Sequence, residues 1–368
     1  MIKRSMQNIS RYTYLTFLVI MTGLKAFIGF DSMDTIYLVL GGIAVFFAFL
    51  SAVTTRYTGR EMLVLGVIGI LIGIVFYRTH SLTPLLLLAA IPGAKNVDKE
   101  KTMTLLGYVW LVGFVLTVSL AALGLIPMHE RFDWNHETMR YGMGYKTDNL
   151  FHLVLFYIVT LWGYLKKNKK WWMYLLLAGI NNIVYFLTDC RIGLLITYMS
   201  LLAWALYPYL QKKTLRMKIV NLLVGIAAIF PVLLSMMPAV FRNSTNPIWD
   251  RLDHLFTHRV IQIRECYSQY PLSLFGTPAA QSTFFMDNAY AYMLLKYGVV
   301  FFAFFCGLYV WLFCKKDETY LKEKLIALLM LICGIVEQSL QNCFMNFSLL
   351  IIIFLLWDEA KNYQEKGL

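Results

Sequence analysis

The sequence predicts an all-α polytopic membrane protein with about twelve transmembrane helices and one large extracytoplasmic loop containing an amphipathic helix. Three observations carry this. Hydrophobic residues make up 59% of the 368-residue chain and charged residues only 15%, where soluble domains are roughly half apolar and a quarter charged. Apolar runs of about 17 to 25 residues, each long enough to cross a bilayer, recur from end to end. The segments between them alternate between lysine-rich and lysine-poor, as the two sides of a membrane do. Residues 1–368 read as a single integral membrane domain.

The expected spans fall at 12–30, 35–53, 61–77, 81–94, 102–125, 148–165, 171–188, 192–210, 218–238, 286–313, 324–341 and 343–357. The first follows a basic start (Lys3, Arg4, Arg11) and has no small-residue cleavage site behind it. A second span comes at once, so the first reads as retained and not as a signal peptide. The third contains Gly69-x-x-x-Gly73, a spacing that allows close helix contact. The fourth is short and holds Pro84 and Pro92, so a tilted or broken helix is expected. Six cysteines are scattered without a Cys-x-x-Cys pair and read as small apolar filler.

Loop charge sets the expected orientation. With the N-terminus inside, the inner segments carry Lys3, Arg4 and Arg11; Arg56 and Arg60; Lys95, Lys99 and Lys101; Lys166, Lys167, Lys169 and Lys170; Lys212, Lys213, Arg216 and Lys218; Lys315, Lys316, Lys322 and Lys324; Lys361 and Lys366. Every inner segment is basic, as cytoplasmic loops are. Both termini are therefore expected in the cytoplasm, on a multi-pass protein of the cell membrane. These loops account for the formal charge of +12, so no nucleic-acid partner is expected.

The outer side differs in kind. Its cations are Arg78, Arg131, Arg140, Arg191, Arg242, Arg251, Arg259 and Arg264, with Lys146 the one clear lysine. Topology asks for positive charge inside; it does not ask for arginine outside. A guanidinium presents a planar fork of donors, grips phosphate bidentately and stays charged. The bias points to an anionic, phosphate-bearing ligand at the outer face. The competing reading is that these arginines reach lipid headgroups or pair with Asp133, Glu137, Asp250, Asp253 and Glu265.

Two outer loops are long enough to hold a site, 126–147 and 239–285. The first contains Arg131 through Glu137, then Arg140 through Asn149, with Gly142 and Gly144 permitting tight backbone. In the second, Trp249, Leu252, Phe256, Val260, Ile263 and Tyr267 form one helical stripe. Arg251, His254, His258 and Glu265 lie opposite, with Arg259 at the flank. Such a helix suits the membrane interface; one that caps the bundle has the same pattern.

Arg191 stands in Thr188-Asp189-Cys190-Arg191-Ile192-Gly193, at a junction of two spans, where Asp189 can neutralise it. Glu337, Gln338, Gln341 and Asn342 cluster near the end of the eleventh expected span. Glu337 and Gln341 should share a helical face there, with Lys296 as partner of Glu337 in a structural pair between helices. Asp31 with Asp34, and Asp133 with His136 and Glu137, are poor metal sites. No His-Glu-x-x-His, nucleotide loop or serine elbow is present, so neither metal nor cofactor is expected.

These segments resemble the Wzy-type polysaccharide polymerases of the O-antigen ligase and polymerase superfamily, over nearly the whole chain. Arg191-Ile192-Gly193 resembles that family's Arg-x-Gly step. Arg259, followed by Pro271-Leu272-Ser273-Leu274-Phe275-Gly276, resembles its arginine-to-Pro-Leu-Phe-Gly run. Asp287-Asn288-Ala289-Tyr290, then Leu294-Leu295-Lys296-Tyr297-Gly298, resembles its (His or Asp)-Asn-x-Tyr segment leading into Leu-x-x-x-Gly. Arg140 through Asn149 is similar to its first-loop motif, with Tyr145, Thr147 and Asp148 where Phe, His and Pro are common. Asp287 stands where ligases carry a histidine.

The resemblance implies a metal-independent glycosyltransferase with a GT-C-like membrane body. Its donor would be a growing glycan on undecaprenyl pyrophosphate and its acceptor a fresh lipid-linked repeat unit, giving a capsular or exopolysaccharide chain. Arg191 and Arg259 would stabilise the leaving pyrophosphate, with Arg140, Arg251 and Arg264 as further phosphate binders. Asp287 would be the base, with His258 and His254 behind it; His258, Asn288 and Tyr290 would contact substrate. Membrane lipids, a chain-length regulator and a flippase are the implied partners. The alternatives are ligase-like transfer of a finished glycan to another acceptor, and a lipid-linked oligosaccharide flippase or transporter. Ionisable groups at the outer surface rather than the midplane weigh against transport.

Overall fold

The structure, a computed structural model, describes residues 2–27, 34–133, 137–166, 170–210, 214–240, 251, 253, 259–278, 286–315 and 317–365. About 81% of it is helical. Among the described residues, seven helices are long and apolar enough to cross a membrane. The protein is an all-α membrane protein.

The helices are α1 (Ile2–Ala26), α2 (Thr35–Thr54), α3 (Gly59–Thr79), α4 (Leu82–Gly93), α5 (Lys99–Ala122), α6 (Asp148–Leu165), α7 (Trp171–Thr188), α8 (Arg191–Leu210) and α9 (Thr214–Val240). They continue with α10 (Arg259–Gln269), α11 (Ala289–Lys296), α12 (Gly298–Cys314), α13 (Leu321–Cys333) and α14 (Phe347–Glu365). Between α5 and α6, β1 (Glu130–Asp133) and β2 (Thr138–Tyr141) form an antiparallel hairpin. The chain divides into two compact units. One comprises Met1–Thr55, Gly93–Thr214 and Trp357–Leu368; the other comprises Arg56–Pro92 and Leu215–Leu356.

The first unit is built around α6. Thr147 caps it, its side chain accepting from Leu150 N at 3.1 Å. Phe151, Val154, Phe156, Tyr157 and Val159 are buried between α5, α7 and α8. By contrast, α7 leaves Leu175, Leu176, Ile183 and Phe186 exposed. An apolar face of that extent marks the side a membrane covers. Ser10 Oγ lies 2.6 Å from Thr55 Oγ1 and accepts from Asn96 Nδ2 at 2.8 Å, a buried polar tie within this unit.

In the second unit α12 packs on α3, α11 and α13. Here two expected spans are corrected. The run 286–313 is two helices, because Gly298 has φ +87° and ends the α11 geometry at Tyr297. The run 324–341 stops as α-helix at Cys333; a turn over 334–336 and a short 3-10 turn, Gln338–Gln341, follow. Glu337 is extended (φ −142°, ψ 143°), so it shares no α-helical face with Gln341. Among the described residues, no atom lies within 4 Å of a Cβ at Gly69 or Gly73, so the Gly69-x-x-x-Gly73 spacing brings no described helix close there. The short fourth helix is present, with Pro92 inside it.

Candidate functional site

Two sequence motifs meet in the second unit. The turn Leu274-Phe275-Gly276 lies against the joint between α11 and α12. Val299 N donates to Ser273 O (3.0 Å), Val300 N to Leu274 O (3.0 Å) and Thr277 N to Lys296 O (3.1 Å). The first amides of α12, orphaned by the helix break, thus find acceptors in the turn. Gly276 (φ +93°) and Gly298 (φ +87°) face each other; a Cβ on Gly298 would stand 2.4 Å from Gly276 N. Both the left-handed backbone and the lack of space demand glycine here.

The preceding segment is stitched to the turn after α13. Asn288 caps α11, its Oδ1 accepting from Ala291 N at 2.9 Å. Its Nδ2 donates to Ser235 Oγ (2.8 Å) and Ile335 O (2.9 Å). Ala289 N donates to Gly334 O at 2.9 Å. Tyr290 is fully buried and donates its hydroxyl to Leu331 O at 2.6 Å. Asn288 and Tyr290 therefore direct these polar groups inward, holding the segment in shape.

That stitching brings three ionisable groups together. Arg259 is the first residue of α10, whose third amide, Ile261 N, donates to the Asp253 carboxylate at 2.8 Å. Val260, Ile263 and Tyr267 are buried, so the expected stripe holds over its described part. Arg242, Trp249, Leu252, His254, Phe256 and His258 lie outside the described residues. Arg259 is itself buried, and its Nη2 stands 3.5 Å from Asp287 Oδ2. Gln338 hydrogen-bonds Asp287 as well.

Burial pushes the Asp287 carboxyl above its ordinary range, against the pull of the Arg259 charge and of the Gln338 hydrogen bond. Glu337 is pushed up to about 8, first by burial and then by the Asp287 charge, with Arg259 opposing. At neutral pH Glu337 therefore keeps its proton. The cluster holds one guanidinium and two carboxyl groups, both pushed toward the protonated form by burial. The charges acting on Glu337 are Asp287 and Arg259, which corrects the expected pairing with Lys296. The helix stop at Gly334 turns Glu337 out of the α13 ladder. The polar run Glu337-Gln338-Ser339 sets in only after the apolar Gly334-Ile335-Val336, past the stop itself.

The arginines of the first unit have other surroundings. The hairpin places Arg131 opposite Arg140. Arg131 Nη2 donates to Asp148 Oδ2 at 3.0 Å. Arg140 pairs with Asp133, with Asp189 at 2.9 Å and with Asp148 at 3.6 Å, its side chain only 13% exposed. Two guanidiniums meet three carboxylates. Asp34, of the expected acidic pair, binds Lys146 at 2.6 Å; Asp31 and His136 lie outside the described residues.

Arg191 opens α8 and is exposed. The glycine of its Arg-x-Gly step has a steric reason. A Cβ on Gly193 would stand 2.5 Å from the His152 ring of α6. That ring is fixed by Asn181 Oδ1, 2.8 Å from Nε2, while Asn181 Nδ2 donates to Leu194 O at 3.2 Å. Of the remaining candidates, Arg264 on α10 is half-buried and Arg251 is exposed.

Arg259, Asp287 and Glu337, the last expected only in a structural pair, form one constellation in the second unit, with Asn288 and Tyr290 shaping its backbone. Arg140 and Arg191 belong to the first unit. No protein-family model, curated protein or solved structure matches the chain, so the resemblance rests on the sequence motifs alone.

Proposed function

We propose that the protein is a polysaccharide polymerase of the Wzy type, joining undecaprenyl-pyrophosphate-linked repeat units at the outer face of the cell membrane. The proposal includes about twelve spans, cytoplasmic termini, and loops 126–147 and 239–285 on the outer side. The observation that carries it is the Arg259–Asp287–Glu337 cluster, in which Arg259 and Asp287 come from two motif segments and Glu337 from the turn after α13.

The chemistry follows from the groups present. The acceptor hydroxyl gives its proton to the Asp287 carboxylate and its oxygen bonds the donor's anomeric carbon. The bond from that carbon to the pyrophosphate breaks, and the lipid pyrophosphate leaves with the electron pair. Arg259 meets the charge that develops on it, in a site that excludes much of the solvent. Glu337, protonated, keeps a second negative charge away from the leaving group. Arg140, caged by aspartates, serves in this reading to hold the hairpin. Arg191 is the second residue that the motif assigns to pyrophosphate, and Arg191→Ala tests that role by itself.

The deciding experiment is incubation of pure protein with one lipid-linked repeat unit, with products resolved by size. A ladder of graded chain lengths is expected. Transfer of a preformed glycan in one step, without a ladder, would make it a ligase. Absence of any covalent growth, with movement of lipid-linked sugar across vesicles instead, would make it a transporter.

A further inference from the structure

Away from the ionisable cluster, the second unit contains an open groove of about 700 Å³ between α9 and α12. Its walls are apolar: Ile226 and Ile229 on one side, Phe305 and Val310 on the other, with Leu331 between. The charged groups, Lys218 and Lys315, sit at one end beside Asn221, and none of the described residues that line it is acidic. From Lys218 to Val232, α9 advances about 21 Å at 1.5 Å per residue. That exceeds one leaflet, roughly half of the ~30 Å hydrocarbon core.

The lysine end is a built feature. Lys324 is fully buried at the start of α13. It donates to Asn221 Oδ1 (2.7 Å), to Phe313 O (3.0 Å) and to Lys315 O. All three of its donors are committed, so it fixes the end of α12 and the side chain of Asn221. Lys315 Nζ stands 4.5 Å from the centre of the Trp311 ring, a pairing that suits the membrane–water boundary. Lys218 is exposed at the same end.

We infer that this groove holds one anionic phospholipid, its acyl chain along Ile226, Ile229 and Phe305 and its phosphate at Lys218 and Lys315. Mostly apolar walls hold an acyl chain; the two lysines at one end select an anionic headgroup. The site is independent of the glycosyl-transfer proposal and stands if that fails.

Native mass spectrometry of the purified full chain, with phosphatidylglycerol and phosphatidylcholine of equal chain length, tests it. Retention of phosphatidylglycerol should exceed that of phosphatidylcholine by about tenfold or more, given two cations at the headgroup. The double variant Lys218→Gln, Lys315→Gln should bring the two lipids to parity. Gly225 lines the groove and, among the described residues, has no atom within 4 Å of a Cβ, so Gly225→Leu should fold and should exclude both lipids. Equal retention of the two lipids by the parent protein would overturn the proposal. So would a preference untouched by the lysine variants, or displacement of phosphatidylglycerol by undecaprenyl phosphate at equal concentration, which would give the groove to a substrate tail.

Discussion

Arg140 and Arg259 look alike in the sequence and stand in opposite electrostatic settings. Arg140 meets three aspartates, one of which, Asp148, it shares with Arg131, so its positive charge is used up inside the protein. Arg259 has Asp287 at 3.5 Å and, beside it, a glutamic acid that holds its proton at neutral pH. The first arrangement locks a hairpin. The second leaves the charge balance adjustable by one proton. An outer-face excess of arginine is therefore not one feature with one meaning, and carboxylate number decides which role each arginine has.

The largest expected effect breaks the caged side of this comparison. Arg140→Gln removes the cation that Asp133, Asp148 and Asp189 share, leaving Asp148 with Arg131; these pairs are part-buried, so the cost lies between the ~1 kcal/mol of an exposed pair and the roughly 3–5 kcal/mol of a buried one. The thermal midpoint in detergent should drop sharply, and Arg140→Lys should restore part of it. An unchanged midpoint would mean that the cage is not structural.

Next comes Arg259→Lys, which keeps the charge and removes the fork. Chain growth should fall about 10² to 10³-fold, as for loss of one preorganised stabiliser, while the elution profile of folded protein stays the same. Full-length polymer from this variant would remove the bidentate grip from the mechanism.

A smaller effect comes from pH. Glu337 has a folded-state value of about 8, above the roughly 4.3 of an unfolded glutamate. The folded state therefore binds this proton more tightly. Its stabilising contribution is complete below about 4.3 and is lost as pH rises through the folded value. The unfolding midpoint should decline from pH 5 to pH 9, and Glu337→Gln should flatten that decline. Identical slopes would dissolve the cluster. The same substitution should remove the fall in chain growth at alkaline pH, where a second carboxylate would oppose the leaving pyrophosphate.

The smallest change is expected of Arg251→Gln, an exposed arginine outside both clusters. Its midpoint should stay within the scatter of the parent. If it abolished chain growth as fully as Arg259→Lys, phosphate binding would be spread along the loop rather than focused at the α10 start.

Much of the helix layout was legible. Spans expected at 171–188 and 192–210 match α7 and α8 within a residue, because one apolar run with a capping turn at each end leaves little choice of boundary. The expected stripe of Val260, Ile263 and Tyr267 is buried. The joint at Gly298 and the stop at Gly334 were not legible. Both runs stay apolar through the break, and hydropathy does not register a backbone turn. The site was legible only in pieces. The sequence marks Arg259 and Asp287 each as functional; it pairs Glu337 with Lys296, whereas the charges acting on Glu337 are those of Asp287 and Arg259.

By itself the sequence determined the membrane character, the run of helices and the surplus of guanidinium groups, since each depends on composition and local period alone. Only the tertiary structure decided which carboxylates stand beside which arginine. Asp133, Asp148 and Asp189 come to Arg140 from three separate elements, and Glu337 comes to Asp287 across the whole of α12 and α13. Electrostatic partnership depends on distance through space, and the broken helices that set those distances leave no periodic trace in the chain.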